Sequence, residues 1–346
     1  MSNIEIQNLQ KSYGTHTVIK DISFTIENGS RIVILGPSGA GKTTLLRLIA
    51  GLETVSMGQI SFDDTNKNVA MIFQNGGLFE HAKVKDNIIL GLKKLGYTKE
   101  EINNKLIEVA SLLHIESLLD RYPVSLSAGE KQRVGIARAI IRNPSVLLLD
   151  EPFSNLDEEL SYALKRDLLK MQESLNMTMI VVTHNIEEAF FFSEKIGLLK
   201  DGILLEYNSI EKILDKPACM DSLLFLFPDI NRLNGKIQDK KLYINNLYIQ
   251  DIDEKDADII MLIKREAIEL DSGNITAVLE HSSIQKNGYI NELKLGEYTL
   301  NCYTAHKVDT GKKNISFTDY YLFLQNGQFM LNFQLERNIS SKCNTK

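Results

Sequence analysis

The stretch Gly36-Pro37-Ser38-Gly39-Ala40-Gly41-Lys42-Thr43-Thr44 has the residue types and spacing to grip a chain of phosphates. It fits the pattern G-x-x-x-x-G-K-[ST]. Glycines at these positions let successive backbone N–H groups curl around phosphate oxygens, and a helix starting at the end of the loop adds the positive end of its dipole. Lys42 is placed to reach the β- and γ-phosphates of a nucleoside triphosphate, and the Thr43 hydroxyl to ligate Mg²⁺. The flanks are those such a loop needs. Arg31-Ile32-Val33-Ile34-Leu35 reads as a buried strand, and Leu45, Leu46, Leu48 and Ile49 recur at helical spacing until Gly51.

A phosphate loop alone says only that a nucleotide is bound, so hydrolysis needs further groups. Val146-Leu147-Leu148-Leu149-Asp150-Glu151-Pro152 is an apolar strand that ends in two carboxylates. Asp150 is placed to hold Mg²⁺ opposite Thr43, directly or through water. Glu151, one residue on, points to the other side of the strand end and is the candidate to polarise an attacking water.

Between these segments lies Leu126-Ser127-Ala128-Gly129-Glu130-Lys131-Gln132-Arg133, followed by Val134-Gly135-Ile136-Ala137-Arg138-Ala139. This stretch resembles the LSGGQ signature of ABC-type ATPases, and the order phosphate loop, signature, acidic strand is that family's order. Other pieces match in sequence. Tyr13 stands where the family stacks an aromatic ring on adenine. Gln74, in Ile72-Phe73-Gln74-Asn75, resembles the Q-loop glutamine, which serves both the metal and catalysis. Ser154-Asn155-Leu156-Asp157 resembles the D-loop, and His184, in Val182-Thr183-His184-Asn185, the switch histidine. The resemblance covers roughly residues 2–217. It implies ATP and Mg²⁺ as ligands, with Ser127 and Gly129 forming an anion trap at a helix N-terminus that caps the γ-phosphate held by an opposite subunit. One phosphate loop and one signature then require a second ATPase copy, most simply the same chain, arranged head to tail about a two-fold axis. Asp157 is expected beside the nucleotide in such a pair. Two signature positions depart from the family, Ala128 for glycine and Glu130 for glutamine, and Ala128 constrains φ more than glycine does. Asn75-Gly76-Gly77 and Glu80 also differ from the usual stretch after the glutamine, a region that contacts the membrane partner. His16, His81, His114, His281 and His306 have no such support and are assigned no chemistry.

The elements that must carry these residues alternate strand and helix up to about residue 217. Val146–Leu149 and Met179–Val182 are continuous apolar runs, expected of strands covered on both faces of a parallel sheet. Residues 100–120 read as a helix with Ile102, Leu106, Val109, Leu112 and Leu113 on one face, and Ile196 to Leu205 as a hairpin turning at Asp201-Gly202. The expected fold is α/β: residues 1–217 an ABC-type ATPase domain with a mainly parallel core sheet and a helical subdomain, 218–234 a linker, and 235–346 a small all-β domain. That last part resembles the oligonucleotide-binding-like (TOBE) domain of bacterial importers, through Met261 to Ile268 and later alternating strands.

At 346 residues the chain exceeds the size at which one core usually stops growing, about 250–300 residues. Its net charge of −6 argues against nucleic acid, and residues 235–346 hold 14 Lys+Arg against 15 Asp+Glu, so the tyrosines there read as packing rather than a base-stacking platform. Cys219, Cys302 and Cys343 form no C-x-x-C pair and read as free thiols of a reducing compartment. The N-terminus has no apolar segment of a secretory signal, and no apolar run approaches the roughly 20 residues that cross a bilayer. The resemblance therefore implies a peripheral ATPase at the cytoplasmic face of the membrane, a multi-spanning permease as partner, and, indirectly, an extracytoplasmic solute-binding protein. Asp120-Arg121-Tyr122-Pro123 and Asp150-Glu151-Pro152-Phe153 lean toward the members importing ferric iron, sulfate or polyamines. Alternatives are a sugar importer of the same build, or a soluble ABC ATPase without a permease.

Overall fold

Apolar runs without alternation belong to strands covered on both faces, and in this computed structural model the three that flank the chemistry are neighbours. The structure describes residues 3–63, 68–73, 77–92, 95–154 and 156–334. The chain divides into two compact units, Met1–Ile210 and Glu211–Lys346.

In the first unit, β1 (Ile4–Tyr13), β2 (His16–Ile26), β3 (Arg31–Leu35), β4 (Met57–Phe62), β5 (Val69–Ile72), β6 (Val146–Asp150), β7 (Thr178–Thr183), β8 (Lys195–Lys200) and β9 (Ile203–Asn208) form two sheets. One is antiparallel, ordered β2-β1-β4. The other is ordered β5-β6-β7-β3-β8-β9 and is parallel except for β9. Every residue of β6 and β7 is buried. The two sheets share one core, in which Ile4, Ile6, Ile19 and Ile26 join Ile32, Ile34, Leu148, Ile180 and Val182. The phosphate loop leaves β3, the two carboxylates leave β6 and His184 leaves β7. These strand ends are side by side because β7 pairs with both β3 and β6. Ligand sites outside the carboxyl ends of parallel strands follow from that topology.

The helices are α1 (Lys42–Ile49), α2 (Val84–Ile89), α3 (Lys99–Leu112), α4 (Ala128–Ile140), α5 (Glu158–Leu175) and α6 (Ile186–Phe192). α3 starts at a reciprocal cap between Thr98 and Glu101 and stops at Leu112, eight residues before the periodicity suggests. His114 adopts a left-handed φ of 55°, which breaks the helix. Leu113 and Ile115 are fully buried beyond the break, whereas Leu112 is 39% exposed, so the apolar pattern continues across a turn rather than along a helix. The β8–β9 hairpin turns at Asp201-Gly202, with φ of 50° and 78°, the two positive values that a tight right-twisted hairpin requires.

In the second unit the stretch 218–234, expected as a linker, is structured. After α7 (Ile210–Asp215), which begins at the division, comes α8 (Met220–Leu226). Leu223 and Ile230 pack with Ile260, Leu262, Tyr321 and Phe323, so this apolar segment is core, and the second unit begins at Glu211 rather than Gly235. The strands are β10 (Asn231–Gln238), β11 (Lys241–Ile244), β12 (Leu247–Asp251), β13 (Ala257–Ile263), β14 (Ile268–Gln285), β15 (Gly288–Leu295), β16 (Tyr298–Thr304), β17 (Gly311–Phe317), β18 (Asp319–Leu324) and β19 (Phe329–Gln334). They form antiparallel sheets ordered β12-β11-β10-β13-β18-β19 and β16-β15-β14-β17, which enclose a core of Leu233, Met261, Leu293, Ile315 and Tyr320. Tyr320 stacks on Phe333 at 4.7 Å, and Tyr243 meets its cross-strand neighbour Tyr248 edge-on at 6.1 Å, the packing role expected of these rings.

Candidate active site

The loop between β3 and α1 is built around the ammonium group of Lys42. Its Nζ donates to Gly36 O at 2.9 Å and Pro37 O at 3.0 Å, which bends the loop back over the start of its own helix. Gly39 and Gly41 take φ of 82° and 100°, values that a side chain strongly disfavours. A Cβ on Gly36 would lie 2.3 Å from Leu199 O. One on Gly41 would lie 2.8 Å from Ile19 Cδ1, so β2 closes the outer side of the loop.

Two carboxylates face this loop. Asp150 Oδ1 accepts the Thr43 hydroxyl at 3.0 Å. Burial pushes the Asp150 carboxyl above its ordinary value, opposed mainly by the bond from Thr43. Burial likewise holds the Lys42 ammonium below its ordinary value, opposed by Glu151. Glu151 Oε1 lies 3.7 Å from Lys42 Nζ and 3.3 Å from His184 Nδ1. Its backbone has a φ of 45°, unusual for a residue other than glycine, asparagine or aspartate, and its N–H donates to Val182 O at 3.0 Å. The left-handed turn breaks the pleat at the end of β6, so that Asp150 meets Thr43 while Glu151 reaches Lys42 and His184.

Lys42, Thr43, Asp150, Glu151 and His184 are thus brought together. Pro37, Ser38, Ala40 and Thr44 lie on the same loop and helix start. Tyr13 is 45% exposed at the end of β1, with Lys11 Nζ 4.7 Å from its ring centre. Lys11 is fixed in turn by Glu53 at 3.1 Å and Thr54 O at 2.7 Å. Ser127, Gly129 and Asp157 are engaged elsewhere within the chain. Ser127 and Glu130 cap α4 reciprocally, Asp157 Oδ1 caps α5 by accepting Leu160 N–H at 2.9 Å, and Gly129 packs beneath Leu156 and Leu160. Ala128 is the first residue of α4, a right-handed position where its methyl group introduces no strain. Gln74 lies outside the described residues.

Residues without a motif complete the site. Thr183 Oγ1 donates to buried Glu188 at 2.5 Å and accepts Asn185 N–H at 3.0 Å, fixing the turn that carries His184. Lys165 lies 3.8 Å from Glu188. The signal available was Asn185-x-x-Glu188, an N-cap pattern, and Asn185 Oδ1 does accept Glu188 N–H at 3.2 Å. A cavity of about 470 Å³ opens beside Glu151 and His184, lined also by Phe153, Tyr162, Lys165 and Phe191.

A buried lysine inside a glycine loop, a hydroxyl on a carboxylate and a second carboxylate on a histidine form a constellation suited to cleaving a phosphoanhydride with water. The family model described as ABC transporter matches residues 19–154. The chain is 35% identical over 282 residues to the Fe(3+) ions import ATP-binding protein FbpC of Fusobacterium nucleatum subsp. nucleatum, covering 78% of this chain and 76% of that protein. The chain belongs to the ABC transporter family. This ABC ATPase is also 42% identical over 226 residues to the sn-glycerol-3-phosphate import ATP-binding protein UgpC of Ruegeria pomeroyi. That match covers 63% of the chain and 64% of the relative, so the chain spans less than two thirds of UgpC. Among solved structures, a dimeric ATP-binding cassette in a post-hydrolysis state bound to ADP and Pi is 28% identical with a TM-score of 0.55, covering 60% of this chain and 98% of that one. ATP binding and hydrolysis by an ABC transporter follow from this membership.

Proposed function

We propose that this ABC ATPase energises solute import through a membrane permease, working as a head-to-tail pair of identical chains at the cytoplasmic face. The observation carrying the hydrolytic half is the cluster Lys42–Glu151–His184 beside Thr43–Asp150, at the 3.0 to 3.7 Å separations given above. Lys42 and backbone N–H groups within residues 38–44 bind the triphosphate. Glu151 accepts a proton from the attacking water, and His184 orients Glu151. Two hard oxygen donors at hydrogen-bond distance, one of them a buried carboxylate destabilised by desolvation, suit a small oxygen-loving cation. Thr43 and Asp150 would hold Mg²⁺, with Gln74 as a further ligand, and the ion when bound offsets charge on the phosphates. Tyr13 packs on the adenine. Ser127 and Gly129 meet the γ-phosphate held by the second copy, and Asp157 lies at the seam between the two.

Coupling to a permease is supported by a groove of about 520 Å³ lined by Met71, Phe73, Phe79, Leu90, Arg138 and Arg142. Arg138 donates to Gly77 O at 2.8 Å, and Lys131 lies 3.9 Å from Glu80, so the segment bordering the groove is tied to the helix that Ser127 opens. Movement of that helix on closing over ATP is passed to whatever occupies the groove, which we take to be a cytoplasmic segment of the permease. Among the described residues no helix is long and apolar enough to cross a membrane, in keeping with a separate membrane-embedded partner. The proposed cargo is an inorganic ion such as ferric iron or sulfate, or a polyamine. The likeness to the glycerol-3-phosphate protein favours a second reading, an organic solute of the sugar or sugar-phosphate type. Purification of the native complex tests both. A co-purifying multi-spanning protein and solute-binding protein are expected, and the ligand of the latter decides the cargo. Recovery of the ATPase alone, or with ribosomes or DNA, would refute the import role.

A further inference from the structure

The helix that Ser127 opens carries an anion of its own. Glu130 Oε2 accepts Ser127 N–H at 2.8 Å, and Ser127 Oγ accepts Glu130 N–H at 3.3 Å. This reciprocal box uses up two amides of the helix start and leaves those of Ala128 and Gly129 without an intrahelical acceptor. It also fixes a full negative charge within one turn of a helix end whose dipole favours anions. The cations next along the helix are drawn to other acids, Lys131 to Glu80 at 3.9 Å and Arg133 to Asp167 at 2.7 Å. The carboxylate is therefore a built-in competitor for the same positive field that an incoming phosphate would use.

We propose that Glu130 is a positioning residue that sets how tightly the Ser127 end of one copy accepts the γ-phosphate presented by the other. Its oxygens hold Ser127 and the helix start in place, while its charge opposes the arriving phosphate, loosening the closed pair and favouring reopening. The proposal rests on the composite-site reading above. Two substitutions separate the roles. Glu130→Gln keeps an acceptor for Ser127 N–H and removes the charge; Glu130→Ala removes both.

The test uses the full chain in a Glu151→Gln background, with dimerisation in MgATP followed by sedimentation. Adding Glu130→Gln is expected to tighten the ATP-bound dimer about two- to fivefold per pocket, the size of a charge at a helix end. The gain is expected to shrink as salt shortens the screening length from about 10 Å at 0.1 M to about 3 Å at 1 M. Glu130→Ala is expected to melt at a lower temperature and to show less tightening. An unchanged or weaker dimer with Glu130→Gln, or a gain indifferent to salt, would overturn the role of Glu130 while leaving the composite site standing. A Glu151→Gln protein that stays monomeric in MgATP at every concentration would remove the composite site and this proposal together.

Discussion

Glu151→Gln is the most informative substitution because glutamine keeps the shape of the side chain and removes both its charge and its basicity. Glu151 Oε1 lies 3.3 Å from His184 Nδ1, and an amide can still hydrogen-bond there, so the turn should persist. The ion pair with Lys42 at 3.7 Å is lost, but Lys42 keeps its bonds to Gly36 O and Pro37 O. The stability loss should therefore stay at about 1–3 kcal/mol rather than the larger value for an orphaned buried charge. The loss in chemistry should be greater. Removing a positioned general base lowers the rate by about 10²–10⁴-fold, or about 3–5 kcal/mol of barrier. With its carboxylate partner gone, Lys42 is more available to phosphate, so ATP affinity should hold or rise. Single-turnover hydrolysis of labelled ATP, equilibrium nucleotide binding and urea denaturation, run on the same preparation, separate these effects. Hydrolysis at the wild-type rate would refute the assignment of the base. A hydrolysis loss matched by an equal loss of binding would show that Glu151 holds the site together instead of acting on water.

Lys42→Ala should weaken ATP binding by about ten- to a hundredfold, the worth of a charge-assisted contact, and calorimetry showing unchanged affinity would contradict its place. Asp150→Asn should abolish hydrolysis yet stabilise the nucleotide-free fold at neutral pH. Because burial raises the folded-state pKa of Asp150, its contribution to stability is present at pH below the ordinary carboxylate value and is lost as pH rises through the raised one. The gain from asparagine should accordingly vanish on acidification, as read from melting curves across pH. Gly36→Ala should cost at least about 2 kcal/mol and abolish nucleotide binding, since its methyl group would lie 2.3 Å from Leu199 O; a urea midpoint equal to wild type would show that the loop gives way. A fragment ending at residue 210 should be soluble and bind nucleotide. One ending at 234 should be less soluble, because it keeps Leu223 and Ile230 and loses Ile260, Leu262 and Phe323, their partners in the core. Equal solubility of the two fragments would place the division elsewhere.

The chemistry was legible from sequence where it is local. The glycine loop needs no distant residue to be recognised, and the runs through β3, β6 and β7 are apolar because both faces are covered. What escaped were features that only pairing reveals. β14 runs for 18 residues with irregular pairing between Leu270 and Ile275, so no single alternation marks it. The stretch 218–234 reads as a linker between two patterns, although residues within it, such as Leu223 and Leu226, are core. The capping box at Ser127 is legible as S-x-x-E, and both of its bonds form. The apolar spacing runs past the end of helix α3 because buried residues recur on both sides of the His114 break.

Asp150 and Glu151 are consecutive in the chain, yet one bonds Thr43 and the other sits between Lys42 and His184. Asp150 is the last residue of the strand, and Glu151 takes the left-handed turn that ends it. Deleting one residue from Val146–Leu149 would present Glu151 to Thr43 and bring Pro152 to the left-handed turn, a φ that proline cannot adopt. Exchanging those four residues for other aliphatics should be nearly silent by comparison. At this place the protein counts residues more strictly than it chooses them.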